Sequence, residues 1–130
     1  MIDDWSEYTI ESGDFKMEAI QQNHIPLPPH SVIFELSGEV NLYNSQMIKE
    51  TLETLIAEGL LYFFLIFDQV SYIDSSGLGV CLGVHSRLSK NKGFIRIISP
   101  SEKVRYVLEL TKLKSLLQIF PTLEQASQTI

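Results

Sequence analysis

One cysteine, Cys81, is all that this 130-residue chain contains. A single thiol cannot close an internal disulfide, and without a CxxC pair or a Cys/His cluster no metal-ligand spacing is present. A reducing cytoplasm is the compartment to expect. Cations are scarce too: 10 Lys and Arg stand against 16 Asp and Glu, a formal charge of -6. That sign offers no general attraction to phosphate backbones or anionic lipids, so nucleic acid and the membrane surface are excluded as first partners. Long hydrophobic runs are missing, since no apolar stretch approaches the roughly 18 to 20 residues of a membrane span. The opening "MIDDWSEYTI" places acids where a secretory signal needs bases. Neither export nor membrane insertion is expected.

What remains is an ordinary globular composition, 45% hydrophobic and 20% charged, too apolar for a disordered chain. This length supports one domain with one core, residues 1 to 130, the first 14 forming a frayed extension or a short edge strand. "FKMEAIQQ" alternates Phe15, Met17 and Ala19, then three prolines interrupt "NHIPLPPH", the best candidate for a loop. "SVIFELSGEV" reads as a strand antiparallel to the first, ended by Gly38. "SQMIKETLETLIAEG" puts Ile48, Leu52, Leu55 and Ile56 on one helical stripe, with Asn44 or Ser45 as N-cap and Gly59 as the stop. "LLYFFLIFD" is a central strand. A helix from about Ser75 to Lys90 follows, with Leu78, Cys81, Leu82, His85 and Leu88 along its stripe. "FIRIIS" is a strand, "SEKVRYVLELTKL" a helix opening at Ser101, "LLQIF" a short strand, and "PTLEQA" opens a last helix. Strands separated by helices require right-handed crossovers and a largely parallel sheet. The expected fold is α/β, with a mixed, mostly parallel sheet of about five strands whose helices cover mainly one face.

Chemistry concentrates where "YIDSSGLGV" follows the central strand, since open α/β sheets gather functional groups beyond the carboxyl ends of their strands. A serine there can simply cap the helix. A serine hydrolase would need a nucleophile elbow and a nearby base, but "IDSSG" is not GxSxG. His85 stands ten residues along the same helix from Ser75, about 15 Å away at 1.5 Å per residue. "GLGVCLG" misplaces the third glycine of a dinucleotide fingerprint, and no Gly-Lys-Ser/Thr completes a Walker loop. Gly77, Gly79 and Gly83 suit close approach of the sheet or of a partner. His85 and Cys81 read as packing residues. A hydroxyl at an exposed helix start can also accept a phosphate, adding about -1.5 to -2 charges, favoured by the helix N-H groups and opposed by Asp74.

Three segments, "LSGEVNLYNS", "VSYIDSSGLGVCLGVH" and "IISPSEKVRYVLELTKL" followed by "LLQIF", resemble in order and spacing the STAS domains, and among them the bacterial anti-sigma-factor antagonists. The resemblance runs from about Val32 to Ala126. It implies that Ser75, directly after the Asp of the DSSGLG motif, is a regulatory phosphorylation site, with Asn41, Asp74, Ser76 and Gly77 as its surroundings. It further implies a cytoplasmic partner that is both anti-sigma factor and serine kinase, a phosphatase that resets the cycle, no cofactor, and no catalysis by the chain itself. Phosphorylated family members often carry an acid where this chain has Asn41. If that acid orients the serine, Asn41 slows phosphorylation; if it repels phosphate, Asn41 favours it. The helix from Ser75 to Ser86 and the loop from Glu39 to Asn44 are the expected contact surface, with Glu39, Asn44, Leu78 and Gly79 as contacts. The alternatives are an accessory subunit of a membrane transport complex that docks without phosphorylation, and a small-ligand sensor.

Overall fold

The computed structural model describes residue 2 and residues 4 to 130. After a 3-10 turn at Trp5–Tyr8 come β1 (Ile10–Ser12), β2 (Phe15–Ile20), β3 (Ser31–Val40), α1 (Leu42–Ala57), β4 (Tyr62–Ile73), α2 (Ser75–Ser89), β5 (Phe94–Ile98), α3 (Glu102–Leu110), β6 (Gln118–Phe120) and α4 (Leu123–Ser127). The strands form one sheet in the order β1-β2-β3-β4-β5-β6. β1 to β3 pair antiparallel, and β3 to β6 pair parallel through helical crossovers. The mixed α/β architecture is the expected one. The sixth strand is β1, the edge strand expected as one possibility for the first 14 residues.

Period-two alternation decides which face each strand buries. Phe34, Leu36, Phe63, Leu65, Phe67, Ile95 and Ile97 point to the face covered by α1, α2 and α3, where Leu52, Leu55, Leu78 and Leu108 complete the main core. On the opposite face, Ile33, Phe64, Phe94 and Ile98 meet Ala126 of α4 and Leu27 of the proline loop. Arg96 is buried on that second side. Its guanidinium donates to Gln118 Oε1 (2.7 Å) and to the carbonyls of Ala126 and Thr129, and it lies 3.8 Å from the Phe94 ring centroid. A buried cation is thus satisfied by the carbonyl end of α4, which it ties to the sheet.

Several expected boundaries shift. β3 does not stop at Gly38 but runs on to Val40, because Gly38 adopts φ +87° and two register irregularities let the strand continue beside β4. α1 starts at Leu42, with Asn41 as its cap in place of Asn44 or Ser45. Gly59 does end it, in the left-handed region at φ +102°. On α2 the buried positions are Gly77, Leu78, Cys81, Val84 and Leu88, with Leu82 and His85 half-buried. His85 Nδ1 accepts the Ile95 N-H at 3.0 Å, a bond that requires an unprotonated nitrogen, and burial also lowers its pKa. Burial pushes the Cys81 thiol up to about 12, so neither side chain is set up for chemistry.

Candidate functional site

β4 continues seven residues beyond its last pairing with β5, at Ile66↔Ile98, and ends at Ile73 beside Val40 of β3. The two parallel strands therefore launch α1 and α2 from the same edge of the sheet, and the first turns of both helices meet at Asp74. Its backbone N-H donates to Val40 O at 3.1 Å. Its Oδ1 accepts the N-H groups of Ser76 (3.0 Å) and Gly77 (3.1 Å) and the Ser76 hydroxyl, while Oδ2 accepts the Leu42 N-H at 3.1 Å. One carboxylate thus caps its own helix and staples it to the first turn of a second one, 32 residues away in sequence. Burial raises the Asp74 pKa, but the bonds from Ser76, Gly77 and Leu42 outweigh it and hold the carboxyl below its ordinary value.

The serines separate accordingly. Neither is the cap, because Asp74 does that work; Ser76 is spent on Asp74, whereas Ser75 is exposed and no described residue engages its hydroxyl. On the other helix Asn41 is consumed as well. Its Oδ1 accepts from Tyr43 N and its Nδ2 donates to Glu39 Oε1, both at 3.0 Å. Asn44 completes the network, accepting from Asn41 N (3.0 Å) and donating to Glu39 O (2.8 Å). Asn44 and Leu78, expected as partner contacts, are both buried, at 3% and 1% exposure. The corrections share one cause, the helix phase imposed by Asn41 and Asp74, which turns Asn44 into the capping network and Leu78 into the core. Glu39 and Gly79 remain at the surface.

The glycines separate too. A Cβ on Gly77 would lie 2.6 Å from Val40 Cγ1 and 2.9 Å from Ile73 Cγ1, so that residue lets α2 sit down on the sheet. Gly79 and Gly83 would meet nothing within 4 Å. They border an open groove of about 440 Å³ between α1 and α2, lined also by Ser45, Lys49 and Ser76. Around the site stand side chains that no periodic pattern singled out: Leu42 and Tyr43, 69% and 86% exposed, together with Met47 and Tyr72. For Leu42, Tyr43 and Met47 the one signal was position, apolar residues off the Ile48–Leu52–Leu55 stripe; Tyr72 stands near the end of β4.

A family model for the STAS domain matches residues 16–126. The chain belongs to the STAS family. This STAS domain is 32% identical over 100 residues to a putative anti-sigma factor antagonist of Thermotoga maritima, covering 76% of this chain and 88% of that protein. It is 28% identical to the anti-sigma-B factor antagonist of Staphylococcus aureus, over 65% of this chain and 79% of the relative. In structure it is similar to the anti-sigma factor antagonist SpoIIAA in its unphosphorylated form, with TM-score 0.68 and 25% identity over 85% of this chain and 91% of that one. Among its described residues, no helix is long and apolar enough to cross a membrane and no group of His, Cys, Asp and Glu could hold a metal ion.

Replacing Asp74 tests the staple. Asp74→Ala removes the acceptor of four donors and is expected to cost about 2 to 3 kcal/mol in urea denaturation at pH 7. Because the folded pKa lies below the unfolded one, the carboxylate stabilises above the ordinary value and ceases to do so as pH falls through the folded value. The deficit of Asp74→Ala should therefore narrow below about pH 4.

Proposed function

We propose that this chain is an anti-sigma-factor antagonist whose binding is switched by phosphorylation of Ser75. The observation that carries the reading is the division of labour at the α2 start: Asp74 and Ser76 satisfy each other and the helix, leaving one free hydroxyl, Ser75, on a surface ringed by exposed apolar side chains. The partner is a cytoplasmic anti-sigma factor that is also a serine kinase. Unmodified, the antagonist occupies it and the sigma factor is released to transcription. The kinase transfers the γ-phosphoryl group of ATP to Ser75 Oγ, the hydroxyl proton is lost and ADP leaves. A phosphatase hydrolyses the ester and restores the hydroxyl. In this cycle the antagonist is a protein substrate and does no chemistry, and neither nucleic acid nor membrane insertion enters it.

The same geometry supports the contact surface. Gly79 and Gly83 lack a packing reason inside the domain, and a helix-interior glycine costs about 1 kcal/mol relative to alanine; a partner backbone approaching α2 gives them one. Glu39 keeps its side chain at the surface, oriented by Asn41, and Leu42 and Tyr43 extend the contact onto α1. With its Oδ1 on Tyr43 N and its Nδ2 on Glu39 Oε1, Asn41 is a cap and a clamp for Glu39, and neither of these bonds is made to Ser75.

Incubating the chain with ATP and each serine-kinase anti-sigma factor encoded in the same genome, then mapping by mass spectrometry, is expected to place one phosphate on Ser75. Ser75→Ala should abolish incorporation and Ser76→Ala should retain it. Phosphate on Ser76 alone, or none on a chain that binds the kinase, would sink the switch.

A further inference from the structure

Eight of the ten Lys and Arg residues lie between positions 87 and 114, against two of the sixteen acids. The acidic chain therefore carries its cations in one segment, and α3 with the turn after it holds Lys103, Arg105, Lys112 and Lys114, all exposed. Large apolar side chains are exposed on the same segment, Tyr106 at 63%, Leu110 at 65% and Leu116 at 60%. α3 lies beside the part of β4 that outruns β5, where Ser101 Oγ donates to Val70 O at 2.7 Å. Between them runs an open groove of about 670 Å³ in which Tyr72 of β4 faces Tyr106 and Val107, with Lys103 and Arg105 on its border. Two acids also line it: Glu109, which lies 4.0 Å from Lys114, and Glu102, in the first turn of α3.

We propose that this groove is a second part of the partner interface, and that it takes an acidic segment of the anti-sigma factor bearing an aromatic or aliphatic anchor. The inference rests on the antagonist reading above. Two observations select the occupant. Tyr72 stands three residues before Ser75, at most about 11 Å along an extended chain, so any surface that covers Ser75 reaches the groove. Over α3 and the turn after it Lys103, Arg105, Lys112 and Lys114 stand against Glu102 and Glu109, a positive excess in an otherwise acidic chain, so the complement of this face is acidic.

The test uses the full chain and the kinase that phosphorylates Ser75 in the preceding assay, with affinity read by calorimetry. Tyr106→Ala and Tyr72→Ala, both exposed side chains, are expected to weaken binding by about 10-fold or more each. Lys103→Glu is expected to weaken it about 10-fold and to lessen its dependence on salt. Lys90→Glu, the same charge change at the other end of α2, should leave it within about 2-fold, as for a rim charge outside an interface. A kinase that binds and phosphorylates the wild type but is indifferent to the Tyr72, Tyr106 and Lys103 changes overturns the groove alone. A chain bound by no kinase overturns both readings. Self-association of the free chain that Tyr106→Ala abolishes would assign the groove to a second copy and also overturn the proposal.

Discussion

Once Ser75 carries a phosphate, the affinity of the chain for its anti-sigma factor is expected to fall by about 100-fold or more, on the order of 3 kcal/mol. The size follows from where the charge arrives. Ser75 heads α2, and the only carboxylate within its own turn is Asp74, whose oxygens are committed to Leu42, Ser76 and Gly77. The phosphate gains some stabilisation from the helix start, but Asp74 already holds two of its N-H groups. About two negative charges must then be accommodated inside a surface that carries Leu42, Tyr43 and open glycines, where burial strips their water. Ser75→Asp adds half that charge and should reproduce only part of the loss, while Ser75→Ala should bind as tightly as the unmodified chain. Isothermal calorimetry with all four forms checks the series, and equal affinities for the phosphorylated and unmodified chains would refute the switch.

The second large effect concerns the scaffold that holds this surface. Gly38→Ala is expected to destabilise the fold by about 3 kcal/mol or more, measured as a shift of the urea midpoint with unchanged slope. Two costs act together. The residue sits at φ +87°, a backbone region that an L side chain adopts only with strain. A Cβ would also lie 2.4 Å from the carbonyl oxygen and 2.8 Å from the carbonyl carbon of Asp14, backbone atoms in the β1–β2 hairpin that cannot rotate away. Gly79→Ala is the matched control, a helical position with φ in the ordinary range and no atom within 4 Å. It should keep or slightly raise stability, by up to about 1 kcal/mol, and any effect on kinase binding then reports the interface and not the fold. A Gly38→Ala chain as stable as wild type would show that the hairpin moves to accept the methyl group.

Element order was legible because each segment declared its own period. "FIRII" and "YFFLIFDQV" are too short and too β-branched or aromatic for helices, while Ile48, Leu52 and Leu55 repeat at helical spacing and do line the core. Boundaries were less legible where a glycine or an amide has two uses. Gly38 looked like an end and is a bend within a strand that continues; Asn41 looked like loop and is the cap. The glycine answers to a neighbour remote in sequence, Asp14, which no local window contains, and the amide to the Glu39–Asn44 network that forms only once the helix start is in place. The edge strand β1 forms only because β2 is there to pair with it.

The site divides in the same way. Residue order by itself determined the α/β class, the STAS resemblance and the position of "DSSGLG" at the mouth of a parallel sheet, because hydrophobic period and motif spacing are properties of consecutive residues. Which serine is free, which glycine is packed and which leucine is surface could be decided only by the tertiary structure. Those questions turn on the phase of α2, and that phase is set by a carboxylate reaching the Leu42 N-H across 32 residues and by Gly77 settling on Val40 and Ile73. With the phase fixed, Leu78 enters the core, Ser76 is spent on Asp74, and Ser75 is left facing water.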